Sequence, residues 1–333
     1  MDPQTLLIII VATTLLFEFA NGWNDAANSI ATIVSTRVLS PLVAVGWAAF
    51  WNFVAAFTFG TAVAKTMGKG LVHLEVIGQY SLICALAGAI LWTAACTYMG
   101  LPISVSHSLM GGLGGAAIAK AGVHALILEG WVMPVLFIFL SPLIGLVLGF
   151  VLMTAASWVA WNRTPRRVDR WSRRLQLVSG AAFSLGHGSN DAQKGMGIIT
   201  AGLVTSGFLK DYEIPIWVIF ACYSAIALGT LAGGWRVIKT MGQRITKLKP
   251  VGGFCAETAG ALTLIQTAVM GIPVSTTHTI TGAIMGVGTV HRLSAVRWGV
   301  AGRIMWAWVL TIPVSAILAA FFYLMLARYT SLP

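Results

Sequence analysis

Apolar residues in this chain run in blocks instead of alternating with polar ones. Residues 6–20, 41–64, 132–160 and 309–327 are close to continuous apolar stretches, each near the ~20 residues an α-helix needs to cross a hydrocarbon core. The whole pattern divides into two similar series. The first holds segments at 4–34 (broken at 22–24), 41–64, 79–119 (broken at 100–102) and 131–161. The second holds 175–207 (broken at 186–190), 215–235, 251–290 (broken at 271–273) and 304–327. Glycine, asparagine and proline at the breaks predict interrupted first helices and Pro-broken helical hairpins. The expectation is an all-α polytopic membrane protein with about 10–12 membrane segments.

The two series share words as well as rhythm. Asn24-Asp25-Ala26 recurs as Asn190-Asp191-Ala192, and Lys65-Thr66-Met67-Gly68 recurs as Lys239-Thr240-Met241-Gly242. Gly100-Leu101-Pro102-Ile103-Ser104-Val105-Ser106-His107 recurs as Gly271-Ile272-Pro273-Val274-Ser275-Thr276-Thr277-His278. The offsets are 166, 174 and 171 residues, in the same order. One tripeptide would be chance; three matches in register mark a duplication, as secondary transporters have. Residues 1–161 form the first repeat, 162–174 a basic linker and 175–333 the second repeat.

Composition and charge sharpen this reading. Only 9% of the residues are charged and 57% are hydrophobic, whereas a soluble domain carries roughly 25% charged residues. The net charge of +11 lies between the apolar segments, so membrane orientation accounts for it and a nucleic-acid partner does not. If each hairpin returns to its own side and the other segments cross once, each repeat makes an odd number of crossings. The copies must then be inverted. With both termini outside, 15 Lys and Arg lie in the cytoplasm, six of them in the linker, and five lie outside. The remaining one, Lys194, is at membrane depth. The positive-inside rule favours that orientation. Cys84, Cys96, Cys222 and Cys255 lack metal-ligand spacing and read as small buried hydrophobes. With Asp2 and no basic residue ahead of the first apolar run, residues 1–20 are expected to remain in the mature protein.

Glu18, Asp25, Asp191, Lys194 and Glu257 are left at membrane depth. A charge at mid-bilayer costs about 2.5–3.5 kcal/mol, so such groups either face a polar cavity and act there or pair to fix helix packing. Asp25 and Asp191 occupy equivalent positions, each beside an asparagine and after glycines that would let a helix unwind. Freed carbonyls, amide oxygens and carboxylates make a hard-oxygen site suited to Na⁺, H⁺ or Mg²⁺. The asparagines have helix capping as their alternative role. The Pro-Ser-Ser/Thr-His segments would begin helices on proline and present N–H groups and hydroxyls to a tetrahedral oxyanion. Alternatively the hydroxyls cap and glue helices. Neither His107 nor His278 has a partner at metal-ligand spacing, so both are expected to support the site by hydrogen bonding. Two unit charges ~4 Å apart at an effective dielectric near 20 repel by about 4 kcal/mol. A cation or proton at the aspartates would relieve an anion of that penalty and link the two binding events.

At these residues the sequence resembles the inorganic phosphate transporter (PiT) family over nearly its whole length, closest in motif to the bacterial low-affinity members. The resemblance implies a plasma-membrane symporter (a bacterial inner membrane) that moves phosphate with Na⁺ or H⁺. It also implies a homodimer, an elevator-like alternating-access cycle and no cofactor. Asn24, Asp25, Asn28, Asn190 and Asp191 become cation-site candidates, with the two aspartates as Na⁺ ligands. Ser104, Ser106, Ser275, Thr276, Thr277, Gln193 and Lys194 become phosphate-site candidates, with His107, His278 and Glu257 supporting them. Sodium-coupled members often carry asparagine in both copies, where this chain has Asn28 and then Lys194. The Gln193-Lys194 pair resembles members associated with proton coupling and metal-phosphate substrates. A fixed ammonium there would replace one Na⁺ or pair with phosphate.

A sulfate permease of the same family and a passive anion channel are the competing readings. A hydrolase is excluded on pattern. Ser106 and His107 are adjacent and point to different faces of a helix, and no Gly-x-Ser-x-Gly elbow occurs.

Overall fold

The computed structural model describes residues 2–58, 60–290 and 292–329. Among these the chain is helical without β-strands. In order the helices are α1 (Pro3–Ser35), α2 (Pro41–Val54), α3 (Ala62–Lys69), α4 (Gln79–Met99), α5 (Val105–Ala121) and α6 (Leu128–Ala160). The second series is α7 (Pro165–Thr205), α8 (Ile216–Ala232), α9 (Trp235–Lys239), α10 (Pro250–Val269), α11 (Thr276–Thr289) and α12 (Trp298–Tyr329). Four helices are long and apolar enough to cross a membrane: α1, α4, α6 and α12. The bent pairs formed by α2 with α3 and by α8 with the segment through Arg244 bring the number to six. Helices α5 and α11 are shorter, at 17 and 14 residues.

Proline sets four of the starts. Pro3, Pro41, Pro165 and Pro250 each follow an extended residue and open the first turn, where a missing N–H costs nothing. Glycine ends the first helix of each hairpin: Gly100 closes α4 with φ 73°, and Gly271 follows α10 with φ 70°. An L side chain rarely adopts that conformation.

The structure corrects four expectations. Helices α1 and α7 run unbroken through 22–24 and 186–190. Their glycines admit neighbouring backbone instead of releasing their own. A Cβ on Gly22 would lie 2.1 Å from the Ile226 carbonyl oxygen, and one on Gly188 would lie 2.6 Å from that of Asn52. The basic linker is largely the beginning of α7, because Pro165 starts the helix within it. The stretch 236–249, which the hydrophobic pattern leaves between the segments 215–235 and 251–290, contains the end of α9 and a π-helical turn, Thr240–Arg244. Pro102 and Pro273 do not open helices; they lie two residues ahead of the caps Ser104 and Ser275. Each cap side chain accepts the backbone N–H of the histidine three residues on, at 3.2 Å.

The halves interlock. The second helix of each hairpin packs on the long final helix of the other half, backbone against backbone at small residues. On α5, Cβ atoms at Gly111 and Gly115 would lie 2.5 and 2.1 Å from carbonyl oxygens of α12. On α11, those at Gly282 and Gly286 would lie 2.1 and 2.0 Å from carbonyl oxygens of α6. This is how small residues let membrane helices approach. Helices α6 and α12 turn most of their apolar surface outward, while α1, α7 and the hairpin tips form the polar centre.

Candidate functional site

Helices α1 and α7 carry their Asn-Asp motifs to one place in the bundle, against the N-terminus of α11. Asp25 and Asp191 are both buried. An oxygen of each, together with a ring nitrogen of His187, lies within 4.8 Å of the other two. Thr276 Oγ1 sits 3.3 Å from Asp25 Oδ2 and 3.3 Å from Asp191 Oδ2, so one hydroxyl bridges the two carboxylates. Thr277 Oγ1 lies 3.3 Å from Asp25 Oδ1 and donates to the Ile103 carbonyl at 2.8 Å. Asn28 Nδ2 donates to Thr276 and Thr277 at 3.2 and 2.9 Å. Lys194, fully buried, forms an ion pair with Asp191 one turn earlier on α7.

His187 is the residue that the sequence reading missed. Its Nε2 lies 3.2 Å from Asp191 Oδ2 and 3.9 Å from Asp25 Oδ2. Its tautomer follows from the hydrogen-bond chain. Thr230 donates to Ile226 O and accepts from Asn52 Nδ2, so Asn52 Oδ1 is the acceptor facing His187 Nδ1 at 3.1 Å. Nδ1 therefore carries a proton, and Nε2 faces the carboxylates either as a cationic N–H or as a lone pair toward a bound cation. The signal was present in the sequence: His187 and Asp191 are four residues apart and share a helix face.

The asparagines supply two further oxygens. Asn24 donates to Thr97 at 2.7 Å and Asn190 to the Ile272 carbonyl at 3.5 Å. Both Oδ1 atoms are buried without a hydrogen-bond partner. Buried polar atoms are seldom left so, and amide oxygens are among the hard donors that alkali and alkaline-earth cations take.

The hairpin tips cross reciprocally. Ser106 Oγ donates to the Val274 carbonyl at 3.3 Å, while Thr277, its counterpart, donates to the Ile103 carbonyl, the counterpart of Val274. Ser104 and Ser275 serve as caps. Of the first N–H groups of α5 and α11, those of Val105, Ser106, Thr276 and Thr277 donate to no protein acceptor among the described residues. They are the groups that a helix start offers to an anion.

Four candidates, Gln193, Glu257, His107 and His278, lie apart. Gln193 is saturated by backbone, donating to the Gly60 and Ser189 carbonyls and accepting from Ala64 N–H. Instead of facing the aspartates it ties α7 to the start of α3. Glu257 accepts from Thr32, Gln176 and Ser179 at 2.6, 2.9 and 2.6 Å, joining α1, α7 and α10. His107 and His278 pack ring to ring at 4.9 Å, and His278 stacks on Trp308 at 3.8 Å. Glu18 mirrors Glu257 by accepting from Gly195 N–H at 2.7 Å and from Asn21.

A helical bundle with apolar outer helices and a buried cluster of carboxylate, imidazole and hydroxyl groups has the build of a membrane transport protein, not of an enzyme. Its relatives are transporters. The model of the phosphate transporter family matches residues 21–166 and 160–319. A "probable low-affinity inorganic phosphate transporter" of Rhizobium meliloti (strain 1021) is 52% identical, covering 96% of each chain. One of the same description from Bacillus subtilis (strain 168) is 44% identical over 96% of this chain and 97% of its own. A solved structure described as "The sodium-dependent phosphate transporter" superposes with a TM-score of 0.90 at 26% identity, covering 98% of this chain and 100% of the other. The chain belongs to the phosphate transporter family.

Proposed function

We propose that the chain is a secondary active symporter of inorganic phosphate, coupled to a cation bound between Asp25 and Asp191. One observation carries this: the two equivalent aspartates meet at the N-terminus of α11, bridged by Thr276. The carboxylates and the orphaned oxygens of Asn24 and Asn190 would hold the cation. Ser106, Thr276, Thr277 and the free N–H groups of α5 and α11 would hold the anion beside it. Each ion lowers the electrostatic cost of the other, and that mutual stabilisation is the physical content of symport.

Lys194 already neutralises one side of Asp191. The cycle therefore takes one cation fewer than a transporter with asparagine there, and the name of the solved neighbour favours Na⁺ as the partner at Asp25. Inverted repeats are supported by the reciprocal Ser106 and Thr277 bonds and by the matched glycine contacts of α5 and α11. The cycle is alternating access of elevator type, in a plasma-membrane homodimer with both termini outside and the beginning of α7 in the cytoplasm.

The test is uptake of radiolabelled phosphate into proteoliposomes under an imposed Na⁺ gradient, a pH gradient, or neither. Accumulation above equilibrium driven by Na⁺ supports the proposal. Accumulation driven by the pH gradient alone moves the coupling to H⁺, and flux that never exceeds equilibrium refutes symport. Excess sulfate as a competitor checks the anion.

A further inference from the structure

Away from the polar centre, two cavities of about 540 and 410 Å³ lie side by side where α6 ends, α7 begins and α10 passes between them. Each is within the size range of ligand clefts. The larger is walled by Leu152, Val159, Leu175 and Phe254, with Arg163 and Arg167 also on its lining. The smaller is lined by Met153, Val168, Lys247 and Lys249. Arg163 lines both, along with Ala156, Ala160, Val168, Ser172 and Val251, so the two form a twin groove whose shared, mostly apolar wall carries one cationic residue.

The charges on this groove are one-sided. Its one carboxylate, Asp169, is held by Arg173 at 2.8 Å. Among the described residues Arg163, Arg167, Lys247 and Lys249 have no carboxylate within ion-pair distance. Trp158, Trp161 and Trp171 are exposed around the same helix ends, which places them at headgroup level. Two apolar cavities sharing a cationic divide, at interface depth, match one class of molecule.

We propose that this twin groove binds an anionic two-chain phospholipid, with one acyl chain in each cavity and the headgroup phosphate between Arg163, Arg167 and the lysines. Basic pockets between membrane helices bind acidic headgroups in this way. Because the walls belong to α6, α7 and α10, such a lipid braces the junction of the two halves. The inference does not depend on the proposed transport cycle.

Delipidated protein in detergent, mixed with equal amounts of phosphatidylglycerol and phosphatidylcholine of identical chains, tests it by native mass spectrometry of the retained lipid. Phosphatidylglycerol is expected to be retained in preference. Each cation near an anionic headgroup contributes enough that the double variant Arg163→Gln/Arg167→Gln lowers that retention about thirty-fold. The control Arg166→Gln/Arg170→Gln, in the same basic run but off the groove, leaves it unchanged. Ala156→Trp, which fills the shared wall, removes retention of both lipids; circular dichroism confirms that each variant keeps its helix content. Equal retention of the two lipids overturns the proposal, as does equal loss in the control variant. Displacement of the lipid by inorganic phosphate, or a second copy of the chain found on the groove instead of lipid, overturns it too.

Discussion

Lys194→Asn puts the coupling argument at risk most directly. In the native chain the ammonium pairs with Asp191, and both groups are fully buried. Removing one partner of a buried ion pair leaves an uncompensated charge and costs about 3–5 kcal/mol. At about 2.1 cal/mol/K for each of 333 residues, the unfolding entropy is ~0.7 kcal/mol/K, so the melting temperature should fall by about 4–7 °C in potassium buffer. The substitution also recreates in the second half the Asn-Asp-x-x-Asn spacing of Asn24, Asp25 and Asn28. Sodium should then bind where the ammonium was. At 100 times its dissociation constant it would return about 2.7 kcal/mol, more than half of the loss. Lys194→Met, which offers no oxygen, should fall by a similar amount and not recover. The assay is thermal unfolding of purified protein across a Na⁺ series at constant ionic strength. A Lys194→Asn variant that keeps the native melting temperature in potassium and ignores sodium would refute the idea that this lysine stands in for a cation.

Two more substitutions separate chemistry from packing. Thr276→Val keeps the shape of the side chain but removes the hydroxyl that bridges Asp25 and Asp191. A hydrogen bond to a charged group is worth about 1.5–3 kcal/mol, so phosphate uptake should drop at least ten-fold while folding is retained. Uptake unchanged within two-fold would remove Thr276 from the site. Gly286→Ala places a Cβ 2.0 Å from the Leu146 carbonyl oxygen of α6, and overpacking of this kind costs about 1–3 kcal/mol. It should lower the melting temperature without altering the dependence of any remaining uptake on Na⁺.

Much of this centre was legible in the sequence, because recurring motifs made its parts conspicuous. Asn24-Asp25 and Asn190-Asp191 announced each other, as did the two Pro-x-Ser segments, and the structure brings Asp25, Asp191, Thr276 and Thr277 together. The failures have a common cause. Sequence shows a glycine but not the backbone that presses on it, so Gly22 and Gly188 read as points of unwinding when they are points of contact with α8 and α2. Gln193 sits beside Lys194 in the chain, yet adjacent residues on a helix point in different directions, and it turns to α3. The basic linker hid its own helix start, although Thr164-Pro165 has the same form as Ser40-Pro41. His187 had no counterpart in the first half, and a search for repeated motifs passes over what occurs once.

That last point bears on mechanism. The scaffold repeats its details: Gly100 matches Gly271, Ser104 matches Ser275, and Gly111 and Gly115 match Gly282 and Gly286. The chemistry is not. Thr276 bridges both aspartates, while its counterpart is Val105, which has no hydroxyl. Asn28 reaches across to α11, while its counterpart Lys194 folds back on Asp191 within its own helix. His187 adds a ring nitrogen on the α7 side alone. A strictly two-fold centre would offer its cations paired, equivalent sites. In the proposed site one of the pair is replaced by the covalently attached charge of Lys194, which cannot leave with the cargo. On the proposed cycle the mobile cation is therefore confined to the Asp25 side, and the anion binds off the pseudo-axis, toward the hydroxyls of α11.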